Sequence, residues 1–158
     1  MRIFRKSKSE VNILTACPQA NGFYKAGMIK KWIPHMYREF ELNLLKKCKN
    51  NQKINLFEYV RKDWTFHAKG AWIYEGSDTP NMTVIGSSNY SYRSNRRDTE
   101  AQLYIYSKCP DFNERMKEEA EQLFSLTSQT SIDDIKSDRD TKLGIRSRIL
   151  SKTMKSML

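Results

Sequence analysis

The stretch "TFHAKGAWIYEGSDTPNMTVIGSSNYSYRSNRRDTEAQ", residues 65–102, decides how this chain is read. Thr65 to Tyr74, Met82 to Ile85 and Thr99 to Tyr106 are rich in β-prone residues, and "EGSDTPN" supplies turn residues between the first two. Three strands are therefore expected, the first two joined as a hairpin. Side chains alternate along a strand, so Thr65, His67 and Lys69 share one face while Phe66, Ala68 and Gly70 share the other. An imidazole and an ammonium thus converge. In the last strand Asp98, Glu100 and Gln102 alternate with Thr99, Ala101, Leu103 and Ile105, which lays a polar face on an apolar one.

Upstream, Val11 to Cys17 reads as a strand stopped by Pro18, followed by the loop "PQANGFYKAG". Ile29, Ile33, Met36, Phe40 and Leu44 recur at helical spacing, and Pro34 suits a first-turn position. His35, in that segment, reads as an ordinary surface or boundary histidine. Ile54 to Val60 is a further strand, and Phe112 to Leu126 a helix. Helix between strands, with a closing helix, points to an α/β or α+β sandwich, and the fold class adopted is α/β, a mixed sheet flanked by helices.

Residues 1–127 are read as the folded domain, 128–141 as a polar linker and 142–158 as a basic tail. The linker reading rests on Ser-, Thr- and Asp-rich composition without a periodic apolar face. The tail "KLGIRSRILSKTMKSML" has five basic and no acidic side chains. On a helix Leu143, Leu150, Met154, Met157 and Leu158 share one side, and Arg148, Lys152 and Lys155 another. Such a helix suits an anionic membrane interface, and a solubilising tail or a docked helix suits the same pattern.

The formal charge of +10 is spread along the chain and predicts attraction to phosphates without choosing among nucleic acid, nucleotide and anionic lipid. Cys17, Cys48 and Cys109 are odd in number and widely spaced, with only His35 and His67 to complete a metal site. Neither a disulfide framework nor a metal is expected. No apolar run approaches the roughly 20 residues that would span a bilayer. The opening "MRIFRKSKSEVNILTAC" lacks the apolar core of a secretory signal, resembles no complete transit peptide, and suits the end of a longer upstream region.

The chemistry concentrates in the quoted stretch. His67 offers a nucleophile or acid–base group, and Lys69 and Asn89 offer donors for phosphate oxygens. Ser87 adds a hydroxyl, Gly86 permits close approach, and Glu100 offers a carboxylate for the second imidazole nitrogen. Taken singly, each has a plainer reading: strand lysines are usually solvated, Gly-Ser-Ser-Asn is usually a turn, and Glu100 has Arg96 or Arg97 within reach as an ion-pair partner. Together they form a metal-free phosphoryl-transfer set.

His67-Ala68-Lys69, then Gly86-Ser87-Ser88-Asn89, then Glu100, resembles one catalytic motif of the phospholipase D superfamily, H-x-K-x4-D followed by G-S-x-N and an acidic residue. More narrowly, "ILTACPQANGFY", "WTFHAKGAW" and "TVIGSSNYSYRSNRRDTEAQ" are similar to the C-terminal half of the mitochondrial phosphatidylglycerophosphate synthase family over about Val11 to Leu126. The resemblance implies a phospholipase D-like half domain that meets a second half at a pseudo-twofold axis. It implies phosphatidyl transfer from CDP-diacylglycerol to glycerol 3-phosphate in the cardiolipin pathway, without a cofactor, peripherally at the mitochondrial inner membrane. One histidine would attack the phosphorus as CMP leaves, and the other would act as acid and then base. By position His67 would be the second-motif acid/base. Lys69 and Asn89 would hold phosphate oxygens with Ser87 nearby, and Glu100 would orient His67. From charge and placement, Arg93, Arg96 and Arg97 are candidates to clamp a substrate phosphate.

Two departures matter. Tyr74 stands at the motif's aspartate position, and Glu75, one residue later, faces the other way on a regular strand. No second H-x-K exists, since His35 is followed by Met36 and Tyr37. A complementary N-terminal half or a second copy is therefore an expected partner, and nucleic acid is not. The alternatives are a homodimeric phosphodiesterase or nuclease of the same superfamily, and an inactive fragment that binds anionic membranes.

Overall fold

Val11–Ala16 (β1) and Ile54–Tyr59 (β2) pair in parallel from Val11↔Ile54 to Ala16↔Tyr59. A parallel pair needs a crossover. Here it is a 3₁₀ turn, Met28–Trp32, running into the 16-residue helix Ile33–Cys48 (α1), with Pro34 in its first turn as the sequence predicts. The computed structural model describes residues 8–153 except 52, 139, 142 and 143. The chain forms two compact units, one running to His67 and resuming at Leu126, the other Ala68–Ser125.

In the first unit Ile54, Leu56 and Glu58 share one buried face of β2. Leu56 packs with Leu42 of α1 and with Ile135, joined by Ile13, Leu45 and Ile132. Each large apolar side chain buried in this way contributes ~1.5–3 kcal/mol before entropy is counted. On the other side of β2, Tyr59 packs with Cys17 and Ala20, and its ring stacks on Phe66 at 4.7 Å.

Glu58 extends the buried face into a charged one. Arg38, on α1, donates to Glu58, to Glu41 at 3.2 Å and to Asp138 at 3.0 Å, all at least largely buried. One guanidinium thus serves three carboxylates. Burial pushes the Glu41 carboxyl up to about 8, even though Arg38 draws it down. Burial raises Glu58 too. For Asp138 the cost of burial is outweighed by hydrogen bonds from Thr141 and the Asp140 N–H and by Arg38, so its carboxyl lies below the ordinary range.

The segment expected to be a linker is folded. Thr127–Gln129 (β6) pairs antiparallel with β2, and Ile132–Ser137 is a helix (α4, counting Tyr92–Arg96 as α2 and Pro110–Phe124 as α3). Its polar residues are capping chemistry. The Ser131 hydroxyl accepts the Asp134 N–H at 3.2 Å, and the Asp134 carboxylate accepts the Ser131 N–H at 2.8 Å. Ile135 is fully buried, and a single such residue leaves no periodic signal.

Ile145–Thr153 (α5) packs on α1. Among its described side chains Ser147 and Ser151 are buried, and the Ser147 hydroxyl donates to Glu39 Oε1 at 3.2 Å. Ile145 and Ile149 are exposed. Leu143, Met154, Met157 and Leu158, named for the apolar face of a membrane helix, lie outside the described residues.

The second unit is an antiparallel meander, Gly70–Ile73 (β3), Met82–Gly86 (β4) and Gln102–Tyr106 (β5), in the order β3-β4-β5. The strands expected from Thr65 and from Thr99 both begin later, so the motif residues near their starts sit outside the ladder. α3 lies against β3, where the Trp72 indole donates to Glu119 at 3.2 Å, and buries Met116 and Ala120. In the hairpin loop Gly76 takes a left-handed φ of +71°, which suits glycine.

Candidate active site

The meander explains why residues so far apart in sequence share one place. Lys69 precedes β3, Ser87 follows β4, and Glu100 precedes β5. Gly70 pairs with Ile85 and Gly86 with Gln102, so in an antiparallel sheet the start of β3, the end of β4 and the start of β5 coincide.

At that end Gly86 is required by packing. A Cβ there would lie 2.3 Å from the Ala101 carbonyl oxygen and 2.9 Å from Gln102 Cα, closer than any side chain tolerates against backbone. The close approach sets up a clamp. The Ser87 N–H donates to Ala101 O at 3.0 Å, the Ala101 N–H donates to Ser87 Oγ at 3.0 Å, and that hydroxyl donates to the Glu100 carboxylate. Ser87 therefore fixes Glu100 directly. The arginine pairing considered for Glu100 gives way to this hydroxyl.

The turn continues as a shaped loop. The Asn89 N–H donates to Ser94 Oγ at 3.2 Å, the Tyr90 N–H to Ser88 Oγ at 3.2 Å, and Tyr90 has a φ of 53°. Ser91 caps α2 by accepting the Ser94 N–H at 3.2 Å. With its backbone held in this way, the Asn89 side chain is exposed, and its amide makes no hydrogen bond among the described residues. It is available to an incoming oxygen. Ser94, buried beneath the loop, was not legible as a functional residue; the only signal was its position three residues after the capping serine.

Of the three arginines, Arg93 is held by Asp98, Nε to Oδ1 at 2.9 Å, while Arg96 and Arg97 are exposed at the end of α2. Glu75, one residue past the expected aspartate position, braces the hairpin by accepting the Asn81 amide at 2.6 Å. Tyr74, at the aspartate position, is exposed. Its phenol is raised by partial burial and then by the Glu121 carboxylate of α3.

His67 is the last residue of the first unit. Its segment has no regular secondary structure and is tied down one residue earlier, where the Phe66 N–H donates to Ala20 O at 2.8 Å and the Phe66 ring stacks on Tyr59. The imidazole itself is exposed.

A chain with this fold and this set of groups is of the phospholipase D-like class. The structure of phosphatidylserine synthase from Haemophilus influenzae superposes with a TM-score of 0.77 at 17% identity, covering 99% of this chain and 37% of that one. A family model described as "Cardiolipin synthase, PLD-like domain" matches residues 3–124, and the chain belongs to that family. It is similar to the mitochondrial CDP-diacylglycerol–glycerol-3-phosphate 3-phosphatidyltransferase of Bos taurus, 41% identical over 122 residues, covering 75% of this chain and 22% of that protein. The Saccharomyces pastorianus enzyme of the same name, without the organelle, is 32% identical over 161 residues, covering 92% of this chain and 31% of that protein. The chain thus spans between about a fifth and a third of the length of these curated relatives.

Proposed function

We propose that this chain is the C-terminal catalytic half of a CDP-diacylglycerol–glycerol-3-phosphate phosphatidyltransferase. The observation that carries the reading is the Lys69, Ser87, Asn89 and Glu100 set gathered at one end of the β3-β4-β5 sheet, in a chain of this family. The relatives' names supply the reaction.

A histidine of the complementary half attacks the phosphatidyl phosphorus of CDP-diacylglycerol, and the bond to CMP breaks as His67 gives the leaving oxygen a proton. His67 then takes the proton of a glycerol 3-phosphate hydroxyl, whose oxygen attacks the phosphohistidine and releases the first imidazole. Lys69 and Asn89 hold the phosphoryl oxygens as charge develops on them. Glu100, fixed by Ser87, is the carboxylate of this set. Arg96 and Arg97, with Arg93 braced by Asp98, meet a second substrate phosphate.

The second H-x-K comes from a separate half or a second copy. The exposed Leu103, Tyr104 and Tyr106 of β5 support a partner surface on this unit. Peripheral membrane contact, at the mitochondrial inner membrane in this reading, is supported by exposed Trp64, which carries the Arg61 guanidinium 3.7 Å above its ring. No helix among the described residues is long and apolar enough to cross a membrane.

The test is reconstitution with an N-terminal half carrying its own H-x-K. The pair should form phosphatidylglycerophosphate and release CMP, and His67→Ala should lower turnover by about 10²–10⁴-fold. Full activity in the His67→Ala complex would end the assignment.

A further inference from the structure

A cavity of about 430 Å³ opens in the first unit, and none of the motif residues lines it. Its walls come from the loop after β1, the start of α1 and the turn before α5, and include Tyr24, Lys31, Trp32, His35 and Asp140. His35 stands in the first turn of α1 with its ring 5.2 Å from the Trp32 ring. The sequence gives it no role. In the fold its Nδ1 is buried without a hydrogen-bond partner among the described residues. A buried polar atom left in that state ordinarily has a partner to meet.

The charge around it is asymmetric. Lys25 and Lys31 line the cavity with exposed side chains, whereas Asp140 is already engaged, its Oδ2 accepting from Tyr24 Oη at 3.1 Å and Gln19 Nε2 at 2.9 Å. α1 continues directly from the 3₁₀ turn, and the Ile33 N–H at its start is taken by Lys30 O, so the positive charge at this edge rests on the two ammonium groups. Trp32 and Pro34 supply an apolar wall beside this basic edge.

We propose that this cavity binds a phosphate ester. The phosphate sits against Lys25 and Lys31, a turn of the His35 ring brings its buried Nδ1–H to one of the oxygens, and the organic part covers Trp32 and Pro34. The site is independent of the transferase reading. The ester is either soluble or the headgroup of a lipid.

The chain holds two histidines, so the His35 ring signals are assigned by a single His35→Gln spectrum. The full chain is titrated separately with CMP, glycerol 3-phosphate, inorganic phosphate and phosphatidylglycerol-containing vesicles, each against matched sodium chloride. Saturable shifts of the His35 signals by the soluble esters, weaker with inorganic phosphate, are expected. Lys31→Ala should weaken ester binding about tenfold, and Trp32→Leu should bring the esters down to the affinity of inorganic phosphate. A response to the vesicles alone would support the site and assign its ligand to a lipid headgroup. His35 signals that move no more than in sodium chloride in every arm would overturn the proposal. So would ester binding that is unchanged in both Lys31→Ala and His35→Gln. Neither readout requires turnover, so failure here leaves the transferase assignment standing, and the reverse.

Discussion

The two units treat charge in opposite ways. The first encloses Arg38, Glu39, Glu41 and Glu58, each under 10% exposed, in its interior. The second buries Val84, Met116 and Ala120 and keeps Ser87 and Asn89 at its surface, with Glu100 half-buried beside them. The difference separates two uses of polar side chains. The groups proposed to meet a substrate sit where water reaches them, on loops fixed by neighbouring hydrogen bonds. The buried network is consumed internally and ties α1, β2 and the turn after α4 together.

The strongest way to break this comparison is Arg38→Met. It leaves Glu41, Glu58 and Asp138 around an uncharged side chain, and the loss of one partner from a buried ion cluster costs about 3–5 kcal/mol. Chemical denaturation should show this as a lower midpoint. A change below about 1 kcal/mol would mean that the carboxylates are not dependent on Arg38.

Next in size is Gly86→Ala, which drives a methyl group into the Ala101 carbonyl. Moving β5 to relieve it should cost about 1–3 kcal/mol. The Ser87–Glu100 clamp should open with it, so the reconstituted enzyme should lose activity while amide exchange quickens in β4 and β5. Activity equal to the parent chain would show that the clamp is not required.

The subtlest effect is one of pH. Glu41 has a folded-state value of about 8 against an ordinary 4.5. Because folding raises it, its contribution to stability is fully present below about 4.5 and is lost as pH rises through about 8. Glu58 shifts in the same direction and Asp138 in the opposite one, so the informative quantity is a difference. Glu41→Gln should flatten the fall in melting temperature across that window by several degrees relative to the parent. Parallel curves would place Glu41 in an environment no different from water.

Much of this was legible in the sequence, for identifiable reasons. The Gly-Ser-Ser-Asn turn, the H-x-K and the alternating carboxylates are local patterns of residue types, legible without knowledge of the rest of the chain, but strand periodicity did not place them, since His67, Lys69, Asp98 and Glu100 lie outside the strands. Pro34 announced the start of α1 because its fixed φ and missing N–H fit only a helix's first turn. The segment from Thr127 misled because capping serines and aspartates have the composition of a linker. The β strands expected from Thr65 and Thr99 began late because the alternation of residue types continues past the ends of the paired strands.

What the sequence determined by itself, then, is the chemistry of the motif, the class of fold and the family resemblance, since these depend on residue types at short, regular spacings. Tertiary structure alone decided that Ser87 rather than an arginine holds Glu100, that Arg38 gathers carboxylates from residues 41, 58 and 138, and that His35 stands beside Trp32 with a buried nitrogen that has no partner among the described residues. Each of these is a long-range meeting of side chains. Its energy depends on how much water is excluded around it, and no local stretch of sequence carries that quantity.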